Sequence, residues 1–259
     1  KASNDFKLLQ QKAIVFIAIP SIVSVDFLSS LKIHKESIIV NLAKGFGKNQ
    51  KTIIECLTDI LPNPFCTMKG PSFAREIINK QHTAFTLGAN DKQLFKIFDE
   101  LFEKTKIHID HSEDIRGVEI LSILKNIYAI AIGFLDAQFE SPNLKFLVFT
   151  KAFNEMRELL VFSGGKEQTI FKYCGIGDYA LTSLNDLSRN RTLGLLIGKG
   201  FYTENISEKV VLEGWVAANT FYRQLLEKKV LAEDFPIINE LYKVFNEDYD
   251  TRKFIGNIL

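Results

Sequence analysis

Cysteine is scarce: Cys56, Cys66 and Cys174 are the three in 259 residues, an odd number without metal-binding spacing. That argues against a disulfide framework or a cysteine-ligated metal and fits buried thiols in a reducing cytosol. The four histidines, His34, His82, His108 and His111, show no zinc-ligand pattern, so no metal is expected. Neither sign of charge predominates. With 32 Lys+Arg against 31 Asp+Glu and a net charge of +1, general electrostatic binding to nucleic acid or anionic membrane is not expected. Long hydrophobic runs are missing as well: Ile14–Pro20 and Ile127–Leu135 are too short to span a bilayer. A polar stretch from Lys1 lacks the layout of a signal peptide, and there is neither an internal repeat nor a low-complexity segment.

The sequence is 46% hydrophobic and 24% charged, the composition of a globular protein. Lys1 is not a translation start, so the sequence reads as part of something longer. There are 25 Lys but only 7 Arg, and two of the seven, Arg189 and Arg191, fall within Ser188–Arg191. Where lysine is the default cation, paired arginines suggest planar, bidentate work on carboxylate or phosphate.

Two rhythms divide the chain. Apolar strands at Ala13–Ile19, Ser37–Leu42, Phe65–Met68, Thr83–Leu87 and Lys106–Ile109 alternate with amphipathic stretches at Ile22–Leu31, Lys51–Ile60, Phe73–Ile78 and Lys92–Phe102. That alternation predicts a parallel or mixed sheet covered on both faces. From Glu113 the pattern turns helical: Glu113–Leu135, Asn143–Phe162, Ser188–Gly198, Ser207–Val210, Trp215–Lys228 and Pro236–Phe245. The predicted plan is α/β plus all-α: residues 1–112 form a nucleotide-type sheet domain and 113–259 an all-helical one. Ser112 or Asp114 would cap the first long helix, and a substrate cleft would lie between the domains.

Five segments carry candidate chemistry. Lys44, beside Gly45, follows a buried-looking strand, where open α/β sheets bind ligands; alone it reads equally well as a strand-end lysine in water. Gly70-Pro71-Ser72 also follows a strand, with Ser72 placed to cap a helix from Phe73; small residues there let a ligand touch backbone N–H groups. Lys125-Asn126 lies within the apolar stretch Ile120–Ile132. A desolvated lysine has a lowered pKa and can act as a general base; alone, Lys125 reads equally well as a lysine on the helix's one wet face. Gly175-Ile176-Gly177-Asp178 is a tight loop whose carboxylate would either cap the next helix or set the charge of a nearby lysine. Ser188-Arg189-Asn190-Arg191 opens a helix with backbone donors, a guanidinium and an amide, which together suit a phosphate; a solvated basic turn is the equal alternative. Glu213-Gly214 reads as turn chemistry.

In order along the chain, these segments resemble the bacterial-type NAD(P)-dependent glycerol-3-phosphate dehydrogenases. The resemblance extends through Ile19-Pro20-Ser21, Ala43-Lys44-Gly45, Gly70-Pro71-Ser72-Phe73-Ala74-Arg75-Glu76, Leu124-Lys125-Asn126, Gly175–Asp178 and Leu181-Thr182. It continues with Ser188–Arg191, Gly198-Lys199-Gly200, Val211–Gly214 and Phe235-Pro236-Ile237. It implies a reaction between sn-glycerol 3-phosphate and dihydroxyacetone phosphate with NAD or NADP, in the cytoplasm, supplying phospholipid synthesis. It also implies that Lys125 exchanges the proton of the C2 hydroxyl, Lys44 contacts substrate and cofactor, and Asp178 orients the lysine. Gly70 and Ser72 would line the substrate side of the cleft and Ala74 the cofactor side. Ser188, Arg189 and Asn190 would hold the phosphate, with Arg189 and Glu213 also touching the cofactor. A homodimer stays open.

The sequence departs from the family's pattern. It has no G-x-G-x-x-G pyrophosphate turn, so an opening βα portion of roughly 60 residues is expected upstream of Lys1. The Rossmann-type sheet would then be incomplete, with an apolar edge exposed and weak dinucleotide binding. Asp136-Ala137 replaces a usual Asp-Gly, Thr150-Lys151 a usual Thr-Arg, and Lys69 before Gly70 is unusual. Two other readings remain at this level: a related hydroxyacid or sugar-acid dehydrogenase, and a catalytically silent, truncated binding protein.

Overall fold

The structure, a computed structural model, describes residues 3–201 and 213–259. The helix expected at 207–210 lies outside the described residues, as do Val211 and Leu212. Five strands form one sheet in chain order: β1 (Ile14–Ile17), β2 (Ile38–Asn41), β3 (Phe65–Lys69), β4 (Thr83–Ala89) and β5 (Ile107–Ser112). β1, β2 and β3 run parallel, β4 pairs antiparallel with β3, and β5 is parallel to β4, so the sheet is mixed. Successive strand residues point to opposite faces. Accordingly, Ile39 joins a core with Ile17, Val25, Leu28, Ile53 and Leu57, whereas Val40 joins one with Cys66, Met68, Leu87, Leu94 and Phe98. The helices that cover them are α1 (Ser21–Ser29), α2 (Ile53–Thr58) and α4 (Lys92–Phe102); the short α3 (Ala74–Ile78) buries no residue. A capping box between Thr52 and Glu55 starts α2. Among the described residues β1 pairs on one side only, and its Phe16 is 40% exposed, matching the expected apolar edge.

The rest is helical: α5 (Ile115–Gln138), α6 (Pro142–Phe162), α7 (Asp178–Leu184), α8 (Arg189–Gly198), α9 (Glu213–Glu227), α10 (Pro236–Asn246) and α11 (Phe254–Ile258). Asp114 caps α5 by accepting from Gly117 N at 2.9 Å; its other oxygen takes Lys166 N and Thr169 Oγ1, both at 2.7 Å. The expectation that no apolar run is long enough for a bilayer needs correcting. At 24 residues α5 has the length and hydropathy of a span, yet that window is wholly buried, as in a core helix. Every residue from Gly117 to Leu135 is buried. Such burial on all sides requires close helix crossing, and glycine provides it. A Cβ on Gly194 of α8 would lie 2.0 Å from Ile130 O, and one on Gly133 of α5 would lie 2.0 Å from Arg191 O.

Candidate active site

β2 and β3 deliver the sheet side of the site. Asn41 ends β2, and its Oδ1 accepts Ala43 N at 2.9 Å, an Asx turn that aims the following Lys44. Lys69 ends β3. The next residue must be glycine, because a Cβ on Gly70 would sit 2.2 Å from Ala84 O. Ser72 does not cap α3 as expected. Its hydroxyl donates to Gly70 O at 3.1 Å, and Phe73 holds the N-cap position without a side-chain bond. The helix begins one residue too late for Ser72, which instead braces the Gly70 loop. Ala74 opens α3 and is exposed.

The helical side supplies the central pair. Lys125 lies mid-way along α5 and is 4% exposed; Asp178 is fully buried. Lys125 Nζ is 2.5 Å from Asp178 Oδ1 and 2.9 Å from Thr182 Oγ1. The other carboxylate oxygen, Asp178 Oδ2, takes Lys44 Nζ at 3.1 Å, and Lys44 also donates to Gly70 O at 3.5 Å. One carboxylate therefore joins a strand-end lysine to a core-helix lysine. The tight loop expected at Gly175–Gly177 is instead part of a π-helix, Tyr173–Gly177, that leads directly into α7; its close packing needs Gly175, where a Cβ would lie 1.9 Å from Ile170 O, whereas one on Gly177 would make only ordinary contact with Pro71. Asp178 is the first residue of α7 and makes no side-chain cap, so of its two expected roles the lysine contact is the one present.

Burial lowers Lys125 to about 7; the Asp178 charge opposes this and the Lys44 ammonium reinforces it. An amine with that pKa is available near neutral pH both to give and to take a proton.

At the start of α8, Ser188 is the N-cap and accepts Arg191 N at 3.3 Å. Its two arginines separate in role. Arg191 is buried against Asp136, at 2.6 Å, and against Asp186. Arg189 is exposed and makes no ion pair among the described residues, so of the two its guanidinium is the one available to a ligand. Asn190 Oδ1 is buried without a partner among the described residues. Glu213-Gly214 is not a turn but the first residues of α9. Glu213 Oε1 accepts Ser21 Oγ at 3.2 Å, and burial raises its pKa against Ser21, Arg189, Lys44 and Lys69.

Beside this pair lies a cavity of about 300 Å³ lined by Ser21, Ile22, Gly45, Phe46, Glu213 and Val216, among others. Apolar walls with a few hydrogen-bonding groups suit one ring-and-ribose portion of a dinucleotide. The unpartnered Asn190 Oδ1 and the exposed Arg189 add polar groups toward a ligand. These residues fit part of NAD or NADP; 1–259 contains no glycine-rich turn for the pyrophosphate.

Sequence reasoning gave no role to Thr182, although it stands four residues after Asp178 on the same helical face. Lys69 was noted only as unusual, and its full burial was not foreseen. Glu119 was also missed; its carboxylate takes the Asn41 side-chain amide and Ile54 N at 3.2 Å.

Comparison with known proteins bears on the whole chain. Residues 1–95 match the NAD-dependent glycerol-3-phosphate dehydrogenase N-terminus family, and 114–256 the corresponding C-terminus family. A Clostridium botulinum protein named glycerol-3-phosphate dehydrogenase [NAD(P)+] is 32% identical, covering 99% of this chain and 78% of its own. A relative of the same name from Thermotoga sp. is 35% identical over 95% of this chain and 76% of its own. The crystal structure of glycerol-3-phosphate dehydrogenase from Coxiella burnetii superposes with a TM-score of 0.85 at 26% identity, covering 95% of this chain and 76% of that one. By family match, identity and fold together, the chain belongs to the NAD-dependent glycerol-3-phosphate dehydrogenases.

Proposed function

We propose that Lys125, Asp178 and Lys44 form the reacting centre of an oxidoreductase that interconverts sn-glycerol 3-phosphate and dihydroxyacetone phosphate with NAD or NADP. The observation that carries this reading is a buried lysine, lowered to about 7 and fixed at 2.5 Å on a buried carboxylate. NAD(P)H, when bound, supplies the hydride that adds to C2 of dihydroxyacetone phosphate. Lys125 Nζ gives its proton to the oxygen that becomes the C2 hydroxyl, and in the oxidative direction it takes that proton back. Asp178 orients Nζ and balances the two ammonium groups. Lys44 meets the substrate at the strand ends, where Gly70 and Ser72 form the facing loop. Ser188, Arg189 and Asn190 hold the phosphate at the positive end of α8. Lys44, Ala74, Arg189 and Glu213 are the residues of this chain that would hold the cofactor.

The product, glycerol 3-phosphate, serves phospholipid synthesis. We place the enzyme in the cytoplasm, consistent with three buried free thiols, burial having pushed that of Cys66 up to about 12. We extend the reading to a homodimer, which sedimentation of the purified protein tests. The residue bounds 1–112 and 113–259 stand as our proposed division between cofactor and substrate domains. The deciding experiment is oxidation of NADH and of NADPH by the purified protein with dihydroxyacetone phosphate. A phosphorylated substrate accepted in preference to hydroxyacids and sugar acids supports the reading; preference for the latter overturns it.

A further inference from the structure

Lys69 has no exposed surface, yet it ends a core strand one residue before the Gly70 loop. Its ammonium donates to Asn41 O at 3.0 Å and to Ala43 O. Those carbonyls bracket the turn that precedes Lys44. Asn41 is held from its other side as well: Nδ2 donates to Glu119, and Oδ1 accepts Ala43 N at 2.9 Å. Four charged groups face Lys69 from the elements packed around it: Glu119 on α5, Lys44 after β2, Glu213 on α9 and Asp178 on α7. Burial lowers the lysine to about 7, with Glu119 opposing and Lys44 reinforcing. An ammonium in such a place costs stability that an apolar side chain would not. What it gains is a rigid connection between the two strand-end loops of the cleft.

We propose that Lys69 is a positioning residue for this reaction, stapling the end of β3 to the Asn41–Ala43 turn and so holding Lys44 within reach of Asp178. The inference rests on the roles given above to Lys44 and Lys125. Two contacts depend on the staple: Lys44 Nζ to Asp178 Oδ2 at 3.1 Å and to Gly70 O at 3.5 Å. If the turn loses its donor, Lys44 shifts, and a displacement of about 1 Å in a positioning group lowers turnover by about 10²-fold.

The test is a double-mutant cycle on the full chain, reading kcat/KM for dihydroxyacetone phosphate in Lys69→Met, Lys44→Ala and the double variant. Lys69→Arg serves as the conservative rescue. Lys69→Gln replaces Lys69→Met should thermal melts show that the latter does not fold. The expected result is a loss of about 30-fold or more for Lys69→Met in the otherwise unchanged protein, and of less than about threefold on the Lys44→Ala background. Lys69→Arg should recover most of the activity. The pH limb of Lys125 should also move upward in Lys69→Met, because a displaced Lys44 no longer depresses it. A general loosening of the fold would also move the limb upward by rehydrating Lys125, so the diagnostic result is that the shift disappears when Lys69→Met is made on the Lys44→Ala background. Equal losses with and without Lys44, or no loss at all, overturn the role of Lys69 alone. Full activity in Lys44→Ala overturns the site reading on which it rests.

Discussion

Lys125 and Asp178 form an ion pair at 2.5 Å with the side chain of neither more than 5% exposed. A buried pair of this kind is weak evidence for stability, since desolvating both groups offsets their attraction. Its place between a core helix and the π-helix Tyr173–Gly177 fits the proton transfer proposed for it. Lys125→Ala should lower kcat/KM by at least about 10³-fold. The fold should persist, because Asp178 keeps Lys44 as its partner at 3.1 Å. Circular dichroism with steady-state rates checks both halves; near-normal turnover removes the mechanism.

The same pair fixes a pH response. Oxidation of glycerol 3-phosphate needs neutral Lys125, so its rate should rise through a limb near the lysine's pKa of about 7. Reduction needs the ammonium and should fall through the same limb. Asp178 raises this pKa, so Asp178→Asn should move both limbs to lower pH. Rate profiles in the two directions measure the shift, and a limb that stays in place assigns the proton to another group.

Among the described residues Arg189 is the unpaired guanidinium at the start of α8, whereas Arg191 is occupied by Asp136 and Asp186. Arg189→Ala should reduce kcat/KM for the phosphorylated substrate by about 10²-fold through loss of a charge-assisted contact. Thermal stability should hardly change. Arg191→Ala should show the opposite balance, with a loss in Tm, because the largely buried Asp136 then keeps only Lys145 as its partner. Equal effects of both variants on substrate affinity would contradict the division.

Close crossing of α5 and α8 carries its own prediction. A methyl group on Gly194 would meet Ile130 O at 2.0 Å, and backbone cannot rotate aside. Gly194→Ala should therefore cost about 1–3 kcal/mol. It should also lower affinity for phosphate by tilting the helix that bears Arg189. Denaturant unfolding and inorganic phosphate inhibition read the two effects separately.

Glu155 lies outside the site and tests the core. It accepts Ile237 N and Ile238 N, both at 2.9 Å, at the start of α10. Burial raises it from 4.5 to about 7 against those donors. A raised folded-state pKa means stabilisation that is complete below 4.5 and lost as pH rises through about 7. Glu155→Gln should flatten that part of the Tm–pH curve. An unchanged slope between pH 5 and pH 8 would place the titrating group elsewhere.

Much of this was legible in residue order alone. Alternating apolar segments announced the strands of the sheet, and Lys125, with Leu124 and Ile127 for neighbours, announced a desolvated amine. Roles that depend on where a side chain turns were not legible. Ser72 and Asp178 both read as helix caps, and each bonds elsewhere: Ser72 to its own loop, Asp178 to two lysines. Arg189 and Arg191 read as a pair, but helical rotation sends one outward and the other inward. Lys69 stood out only as an unusual residue before Gly70. Its burial comes from Asn41, Glu119 and the turn after β2, which lie far from it in sequence and converge only in the folded sheet.

α5 has a consequence for how the protein is made. During synthesis, a segment with the length and hydropathy of a membrane span leaves the ribosome before α6, α8 and α9, which later enclose it, exist. At ordinary elongation rates that interval is on the order of ten seconds. Throughout it, the helix bearing Lys125 is bare apolar surface, the kind that chaperones bind and that seeds aggregation. The longest buried helix of the finished enzyme is thus its greatest hazard at birth.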